Sequence, residues 1–289
     1  MAIGIDGRLT ARGRGGVGGT GQHGGVKRNV SCHLELSTSG PTELVFSVAL
    51  ARGVPLHTEA LTVSWNGAFL TPVELRDDHG TRLHRIAVDA GTVLLDYVAE
   101  TDGLADPAVA DEVERLRYLR QSRYCESDSL APTAAAEFGG LEGTALLAAV
   151  VGWVHDRISY VGGSSVGTDS AVDTLLARKG VCRDFAHLCI ALLRALGVPA
   201  RMAAVYAPGL SPMEFHAVCE ALVDDAWWVV DATGHAPRQS LLRIATGRDA
   251  ADTAFLTSFG APVELVALEV TATAEEFVLD DAETLTRLR

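Results

Sequence analysis

The alternation of apolar and polar positions divides the chain into a β-rich first part and a mixed second part. Between residues 28 and 102, apolar positions recur at every second residue in short runs, which is typical of half-buried strands. Strands are predicted at 30–36, 44–50, 60–65, 68–75, 82–88 and 92–99. Asn66-Gly67 is a two-residue hairpin signal. Strands this short and this regularly spaced predict an antiparallel, sandwich-like β domain.

After residue 102 the apolar spacing becomes helical. One helix is predicted to begin at Asp106-Pro107, with Asp106 as N-cap and Pro107 in the first turn. Further helices are predicted at about 141–158, 171–178 and 182–196, and strands at 200–206, 214–223, 226–232 and about 262–273. The chain is therefore divided into a disordered Gly/Arg-rich tail (1–27), an all-β domain (28–102), an α+β core (103–275) and a C-terminal tail (276–289).

Composition narrows the classes of partner. The 289 residues carry 24 Lys and Arg against 37 Asp and Glu, a formal net charge of −13. Nucleic acid and an anionic membrane surface are thus not expected partners. There is no apolar leader and no run of about 18 apolar residues, so we expect a cytoplasmic protein. The oligomeric state is left open.

Neither the cysteines nor the histidines have the spacing of a metal site. The five cysteines are scattered, with no C-x-x-C pair, which excludes a disulfide framework and disfavours zinc. The early histidines are spread along the β region and are expected to be solvated: His33, His57, His79 and His84. No cofactor or metal is predicted.

The first candidate for chemistry is Cys182. The turn Gly180-Val181 delivers it to the first turn of an apolar helix that ends before Gly197. A helix N-terminus favours the thiolate over the thiol, and the thiolate is the nucleophilic form. A small core residue is the alternative interpretation. Cys189 and Cys219 are expected in the core, Asp184 as a first-turn partner of the helix dipole, and His187 on the helix surface.

Two further candidates lie on neighbouring strands. Asp224-Asp225 tolerates hairpin dihedrals, and a two-residue turn there pairs Val223 with Ala226. Because side chains alternate along a strand, this register puts Asp231 diagonally across from His216 on the same face. A one-residue slip would separate them. A core histidine and a strand-end carboxylate are the alternative interpretations, but a carboxylate after so apolar a strand is costly unless paired.

Three blocks together resemble the transglutaminase-like superfamily, in particular bacterial proteins described as predicted cysteine proteases. The blocks are Gly-Val-Cys-Arg-Asp-Phe-Ala-His (180–187), Glu-Phe-His-Ala-Val-Cys-Glu-Ala (214–221) and Trp-Trp-Val-Val-Asp-Ala-Thr (227–233). The resemblance implies a papain-like α+β core, with the cysteine helix packed on an antiparallel sheet, preceded by the β domain. It implies Cys182 as nucleophile, His216 as base and Asp231 as orienting residue.

By the same resemblance, the protein is expected to be a thiol-dependent amide hydrolase or acyltransferase acting on a peptide or protein. The oxyanion donor is left open between the Cys182 backbone N–H and Tyr160, for which a core aromatic is the alternative interpretation. Calcium dependence is not implied. The rival hypothesis is a peptide-binding scaffold that keeps this fold without turnover.

Overall fold

The computed structural model describes residues 26–277, 280 and 284–289, so residues 1–25 of the predicted tail lie outside it. The first half contains strands β1 (Lys27–Thr38), β2 (Thr42–Phe46), β3 (Leu56–Trp65), β4 (Ala68–Leu70), β5 (Val73–Arg76), β6 (Arg82–Val88) and β7 (Gly91–Asp102). The second half contains α1 (Glu112–Leu119), α2 (Ser127–Phe138), α3 (Gly143–Arg157), β8 (Ser159–Tyr160), α4 (Ala171–Ala177), β9 (Lys179–Gly180), α5 (Cys182–Ala195), β10 (Ala200–Tyr206), β11 (His216–Val223), β12 (Ala226–Val230), β13 (Leu242–Gly247), α6 (Ala250–Thr253), β14 (Leu256–Gly260) and β15 (Val263–Ala274).

The β domain is a sandwich of two antiparallel sheets, ordered β15-β1-β7-β3-β4 and β14-β2-β6-β5. Every second side chain of β1 is buried, as the alternating pattern predicts. The hairpin at Asn66-Gly67 is confirmed, because both residues have positive φ (49° and 81°) and Trp65 pairs with Ala68. The predicted α+β class with an N-terminal β domain is thereby confirmed.

The predicted boundary at residue 275 is wrong for the last two strands. β15 pairs along β1, from Arg28 opposite Ala274 to Thr38 opposite Val263, and β14 pairs with β2. Both belong to the sheets of the β domain rather than to the core. The physical reason is that β7 occupies only one edge of β1, and the other edge takes a strand that returns from far along the chain.

The core sheet, ordered β12-β11-β10-β13, is covered on both faces. One face packs against α5, which is surrounded by α2, α3 and α4. On the other face, Tyr206, Leu242 and Ile244 join the hydrophobic cluster of the β domain, and the Tyr206 hydroxyl donates to the Val48 carbonyl at 2.9 Å. Burial on both faces explains why β11 is almost continuously buried instead of alternating.

Two helices differ from the prediction. The first begins at Glu112 rather than near Asp106, because Asp111 caps it: its carboxylate accepts from the Glu114 N–H at 2.7 Å, and the Glu114 side chain returns to the Asp111 N–H. The second, α2, was not predicted, and it contains Pro132. Within the described ranges no single helix is long and apolar enough to cross a membrane. Helices α2 and α3 together have the length and composition of a span, but the chain bends by 103° between them.

Three of the four histidines predicted to be solvated are buried or paired. His84 is 5% exposed. His79 Nε2 lies 2.7 Å from the Tyr118 hydroxyl, and its Nδ1 lies 3.0 Å from the Glu114 carboxylate. His33 is partly exposed, and its Nδ1 lies 2.7 Å from Asp96 Oδ1. His57, by contrast, is exposed. Among the described residues, no group of three or more His, Cys, Asp and Glu is arranged to hold a metal ion.

The described part of the predicted C-terminal tail is packed on the core. The Val229 N–H on the edge strand β12 donates to the Thr286 carbonyl at 2.8 Å, and Leu288 is buried. Arg238 pairs with Asp280. The exposed edge of β12 and the apolar surface beside it give this segment a place to bind.

Candidate active site

The cysteine turn is built by a close approach that only glycine allows. Gly180 in β9 pairs in parallel with Tyr160 in β8, and a Cβ added to Gly180 would lie 2.7 Å from the Cβ of Asp184. The buried Asp184 carboxylate accepts from the Val181 N–H at 2.8 Å, closing the first turn of α5. Cys182 is consequently the first helical residue, where backbone N–H groups have no partner within the helix.

Arg183 fixes the loop that flanks this turn. Its guanidinium donates to the Val166 carbonyl at 2.8 Å and to the Ser165 hydroxyl at 2.5 Å, and it also pairs with Asp184. Sequence reasoning gave Arg183 no role, because its partners lie in a loop with no periodic pattern. The contact ties this loop to the residue that follows Cys182.

The other predictions for α5 have mixed outcomes. Cys189 is fully buried, as predicted, and so is Cys219. The prediction that His187 lies on the helix surface is wrong. His187 is fully buried, its ring stacks on Tyr124 with 5.4 Å between centroids, and it accepts a hydrogen bond from the Ala250 N–H at 3.1 Å. Burial lowers the pKa of His187 to about 3, so this imidazole is neutral and structural.

The hairpin between β11 and β12 has the predicted register. Asp224 and Asp225 both have positive φ (50° and 60°), and Val223 pairs with Ala226. This register brings His216 Nε2 to 3.1 Å from Asp231 Oδ2, with both side chains at most 2% exposed. The two-residue turn thus places the imidazole and the carboxylate together on one face.

Thr233 completes the surroundings of Asp231. Its backbone N–H and its hydroxyl donate to Asp231 Oδ1 at 2.8 Å and 2.7 Å. Burial raises the pKa of this carboxyl, but the charge of His216 and the hydrogen bonds from His216 and Thr233 outweigh burial and leave the pKa lowered. Sequence reasoning did not assign Thr233, although Asp-x-Thr after a strand is the pattern of a side-chain turn.

His216 is held in its charged form from two sides. Burial lowers its pKa, but the charge and hydrogen bond of Asp231, followed by the hydrogen bond and charge of Cys182, raise it to about 10. Nε2 faces Asp231, and Nδ1 has no hydrogen-bond partner among the described groups, so Nδ1 is the nitrogen left to face the sulfur. The imidazolium therefore stands between the sulfur and the carboxylate.

Cys182 differs from the other four cysteines, all of which lie in the described part of the chain. It alone is partly exposed. Burial raises the pKa of the Cys32 thiol to about 11 and raises those of Cys125, Cys189 and Cys219 further. Those four thiols remain protonated and inaccessible.

Tyr160 lies beside the sulfur. Its pKa is raised to about 12 by burial and by the nearby charges of Cys182 and Glu214. The half-buried ring sits 5.9 Å from Phe185 and 4.5 Å, nearly perpendicular, from His235. Tyr160 thus combines the predicted position at the site with partial packing against the core cluster.

Comparisons with known proteins identify relatives in sequence and in fold. The Transglutaminase-like superfamily profile matches residues 132–232. A crystal structure from Cytophaga hutchinsonii, of a protein proposed to be a cysteine protease, is 31% identical with a TM-score of 0.81, covering 91% of this chain and 96% of that chain. The periplasmic domain of TgpA from Pseudomonas aeruginosa is 20% identical with a TM-score of 0.39, covering 75% of this chain and 92% of that chain.

A curated relative matches a shorter stretch. An uncharacterised protein of Mycobacterium leprae is 30% identical over 114 residues, which are 35% of this chain and 39% of that protein. The match spans well under half the length of that relative. The superfamily profile covers the segment that carries Cys182, His216 and Asp231. The chain belongs to the transglutaminase-like superfamily, a family of thiol-dependent enzymes.

Proposed function

We propose that the protein is a thiol-dependent amide hydrolase or acyltransferase, with Cys182 as nucleophile, His216 as proton carrier and Asp231 as orienting carboxylate. The observation that carries this proposal is the buried pair of His216 and Asp231, 3.1 Å apart, beside the one partly exposed thiol. A nucleophile, a base and a third group that orients the base form the arrangement that covalent acyl transfer requires.

In the first step, the Cys182 thiolate attacks the carbonyl carbon of an amide, and a C–S bond forms. The charge on the carbonyl oxygen then returns to the carbon, the C–N bond breaks, and the His216 imidazolium protonates the departing amine. A thioester remains on Cys182. The raised pKa of His216, about 10, supports this assignment, because the imidazole carries its proton throughout the neutral range.

Two groups are candidates for donating to the oxyanion. The Cys182 backbone N–H has no partner within α5 and lies within hydrogen-bond reach of the Tyr160 hydroxyl. The Tyr160 phenol, with its pKa near 12, is neutral at physiological pH and can donate a hydrogen bond. Removal of one such donor from other enzymes lowers kcat by about 10²–10³-fold.

In the second step, water or a primary amine attacks the thioester carbon and His216 takes its proton. The C–S bond then breaks, which releases a carboxylic acid or a new amide and restores the Cys182 thiolate and the His216 imidazolium. His216 is better suited to act as a base at this stage, because the contribution of the Cys182 thiolate to its pKa is absent once the sulfur is acylated. The substrate we propose is a peptide or protein. A reducing, cytoplasmic setting is supported by the five free cysteines and the acidic composition.

The test is intact-protein mass spectrometry after incubation with activated amide and ester probes. We expect one acyl adduct, located on Cys182 and absent from Cys182→Ala. Amine incorporation and peptide cleavage, scored on the same probes, separate transfer from hydrolysis. Tight peptide binding without any adduct would contradict the enzymatic proposal and favour the scaffold.

A further inference from the structure

The turn after β12 links the orienting carboxylate to a second ring at the site. Thr233 donates to Asp231 through its N–H and its hydroxyl. The same hydroxyl oxygen accepts from the His235 N–H at 3.3 Å. Gly234 allows the reversal between them through its positive φ of 63°. The segment 231–235 is thus a single hydrogen-bonded turn that begins at Asp231 and ends at His235.

His235 uses this placement to contact Tyr160. The two rings are 4.5 Å apart between centroids and inclined at 87°, an edge-to-face arrangement within the favourable range. His235 is exposed, and its side chain contributes little to the hydrophobic core. Its contact with Tyr160 is therefore the main structural consequence of the ring.

Three contacts define where the Tyr160 ring can lie. Its backbone is paired with Gly180, two residues before the nucleophile. Phe185, one turn into α5, is 5.9 Å away and bounds one side. His235 is closer, and it approaches from the turn that fixes Asp231. The Tyr160 hydroxyl also reaches the Cys182 backbone, and loss of His235 removes the ring that supports the phenol in that position from the side of the 231–235 turn.

We propose that His235 is a positioning residue that holds the Tyr160 phenol beside Cys182, so that the 231–235 turn orients both the carboxylate and the oxyanion donor. This inference rests on the proposed function, in which Tyr160 donates to the oxyanion. His235 itself does not touch the reacting atoms. Its loss acts on the chemical step through Tyr160, because a displaced donor weakens the transition state and leaves substrate binding intact.

The kinetic test compares His235→Ala with His235→Phe, which keeps a ring, and with His57→Ala, an exposed histidine of the β domain. For H235A we expect kcat to fall by about 10-fold or more with KM changed less than about twofold. H235F should recover most of the loss, and H57A should match the wild type. In a Tyr160→Phe background, H235A should cost little more, since the two act through one hydroxyl.

A spectroscopic readout makes the test independent of turnover. The protein is labelled with 3-fluorotyrosine, and the Tyr160 ¹⁹F resonance is assigned by its loss in Y160F. H235A should shift or broaden that resonance, whereas H235F and H57A should not. An unchanged resonance, or an undiminished effect of H235A in the Y160F background, overturns the inference. Absence of any acyl adduct in the wild type refutes the proposed function instead, and the ¹⁹F spectra still decide whether His235 positions Tyr160.

Discussion

At the scale of single residues, the protonation of His216 depends on both of its neighbours. Asp231 and Cys182 each raise its pKa, and the sum overcomes complete burial. Blocking the sulfur with iodoacetamide removes one of the two. We expect the pKa of His216 to fall from about 10 toward its ordinary value on alkylation, as measured by NMR titration of labelled histidines. In the control Cys182→Ser, which resists alkylation, iodoacetamide should leave the titration of His216 unchanged. An unchanged titration in the alkylated wild type would contradict the contact between Cys182 and His216.

The same raised pKa makes folding stability depend on pH. His216 binds its proton more tightly in the folded chain, near pKa 10 against 6.5 unfolded. Its contribution is therefore complete below the unfolded pKa and is lost as pH rises through the folded one. Relative to His216→Ala, the wild type should lose up to a few kcal/mol of unfolding free energy between about pH 6 and about pH 10, measured by urea titration. H57A should follow the wild type at each pH.

A substitution at Asp231 separates an effect on catalysis from an effect on folding. Asp231→Asn keeps the shape and its bonds to Thr233 but removes the charge that favours the imidazolium. We expect kcat/KM to fall by about 10²–10⁴-fold, and the pKa of His216 to fall as well. Asp156→Asn, on the exposed side of α3, is the matched control. Activity within about twofold of the wild type would remove Asp231 from the mechanism.

The approach of His216 to Asp231 followed from the sequence because it depends on a two-residue turn and the period of a strand, both of which are local. The contacts of Arg183 and His235 did not, because each joins loop residues whose path is set by tertiary packing. His187 was misplaced for a similar reason: the loop at Tyr124 and the start of α6 cover a helix face that periodicity alone leaves open.

At the scale of elements, the cysteine turn depends on the absence of a side chain at residue 180. Gly180→Ala would put a Cβ 2.7 Å from the Cβ of Asp184 and disturb the cap of α5. We expect a loss of about 1–3 kcal/mol in unfolding free energy, together with slower alkylation of Cys182. Gly152→Ala, in open space on α3, is the control, and it should be neutral or stabilising by up to about 1 kcal/mol. Equal behaviour of the two variants would contradict the packing.

The prediction of elements succeeded where periodicity and caps agreed. The apolar run of α5 has both, whereas α1 was assigned to the Asp106-Pro107 signal instead of the capping box at Asp111 and Glu114. Pro132 concealed α2, because proline in a helix interior normally argues against a helix. Packing of α2 against α5 outweighs that cost in the folded chain.

At the scale of the whole molecule, the β domain and the core are joined by structure that is remote in sequence. β15 completes the sheet of β1 after a separation of more than two hundred residues. Strand pairing of this kind depends on which edge is left free, and no local pattern records it. The hydrophobic cluster that Tyr206 and Ile244 share with the β domain likewise joins residues that are remote in sequence. The two parts should therefore unfold together.

A buried ionic cluster under this junction gives the means to test that coupling. Glu220 is 1% exposed and accepts from Arg201 at 2.9 Å and from Arg243 at 2.8 Å through each of two nitrogens. Although burial raises its pKa, the two guanidiniums lower it to about 2. Arg201 is fully buried, with its Cζ 3.9 Å from the centroid of the Trp227 ring. Loss of the Glu220 carboxylate would leave this buried charge with Glu114, 3.2 Å away, but without its nearer partner.

Glu220→Gln should therefore lower the unfolding free energy by about 3–5 kcal/mol at neutral pH, with Glu264→Gln on the exposed face of β15 as the unaffected control. The folded pKa lies below the unfolded one, so this stabilisation is present above about pH 4.5 and is lost as pH falls toward 2. The gap between variant and wild type should close accordingly in acid. Far-UV circular dichroism and tryptophan fluorescence should report one shared transition in both proteins, because Arg243 and Ile244 lie on the strand that joins the core to the β domain. Two separate transitions, with only the core affected by E220Q, would show that the halves fold independently.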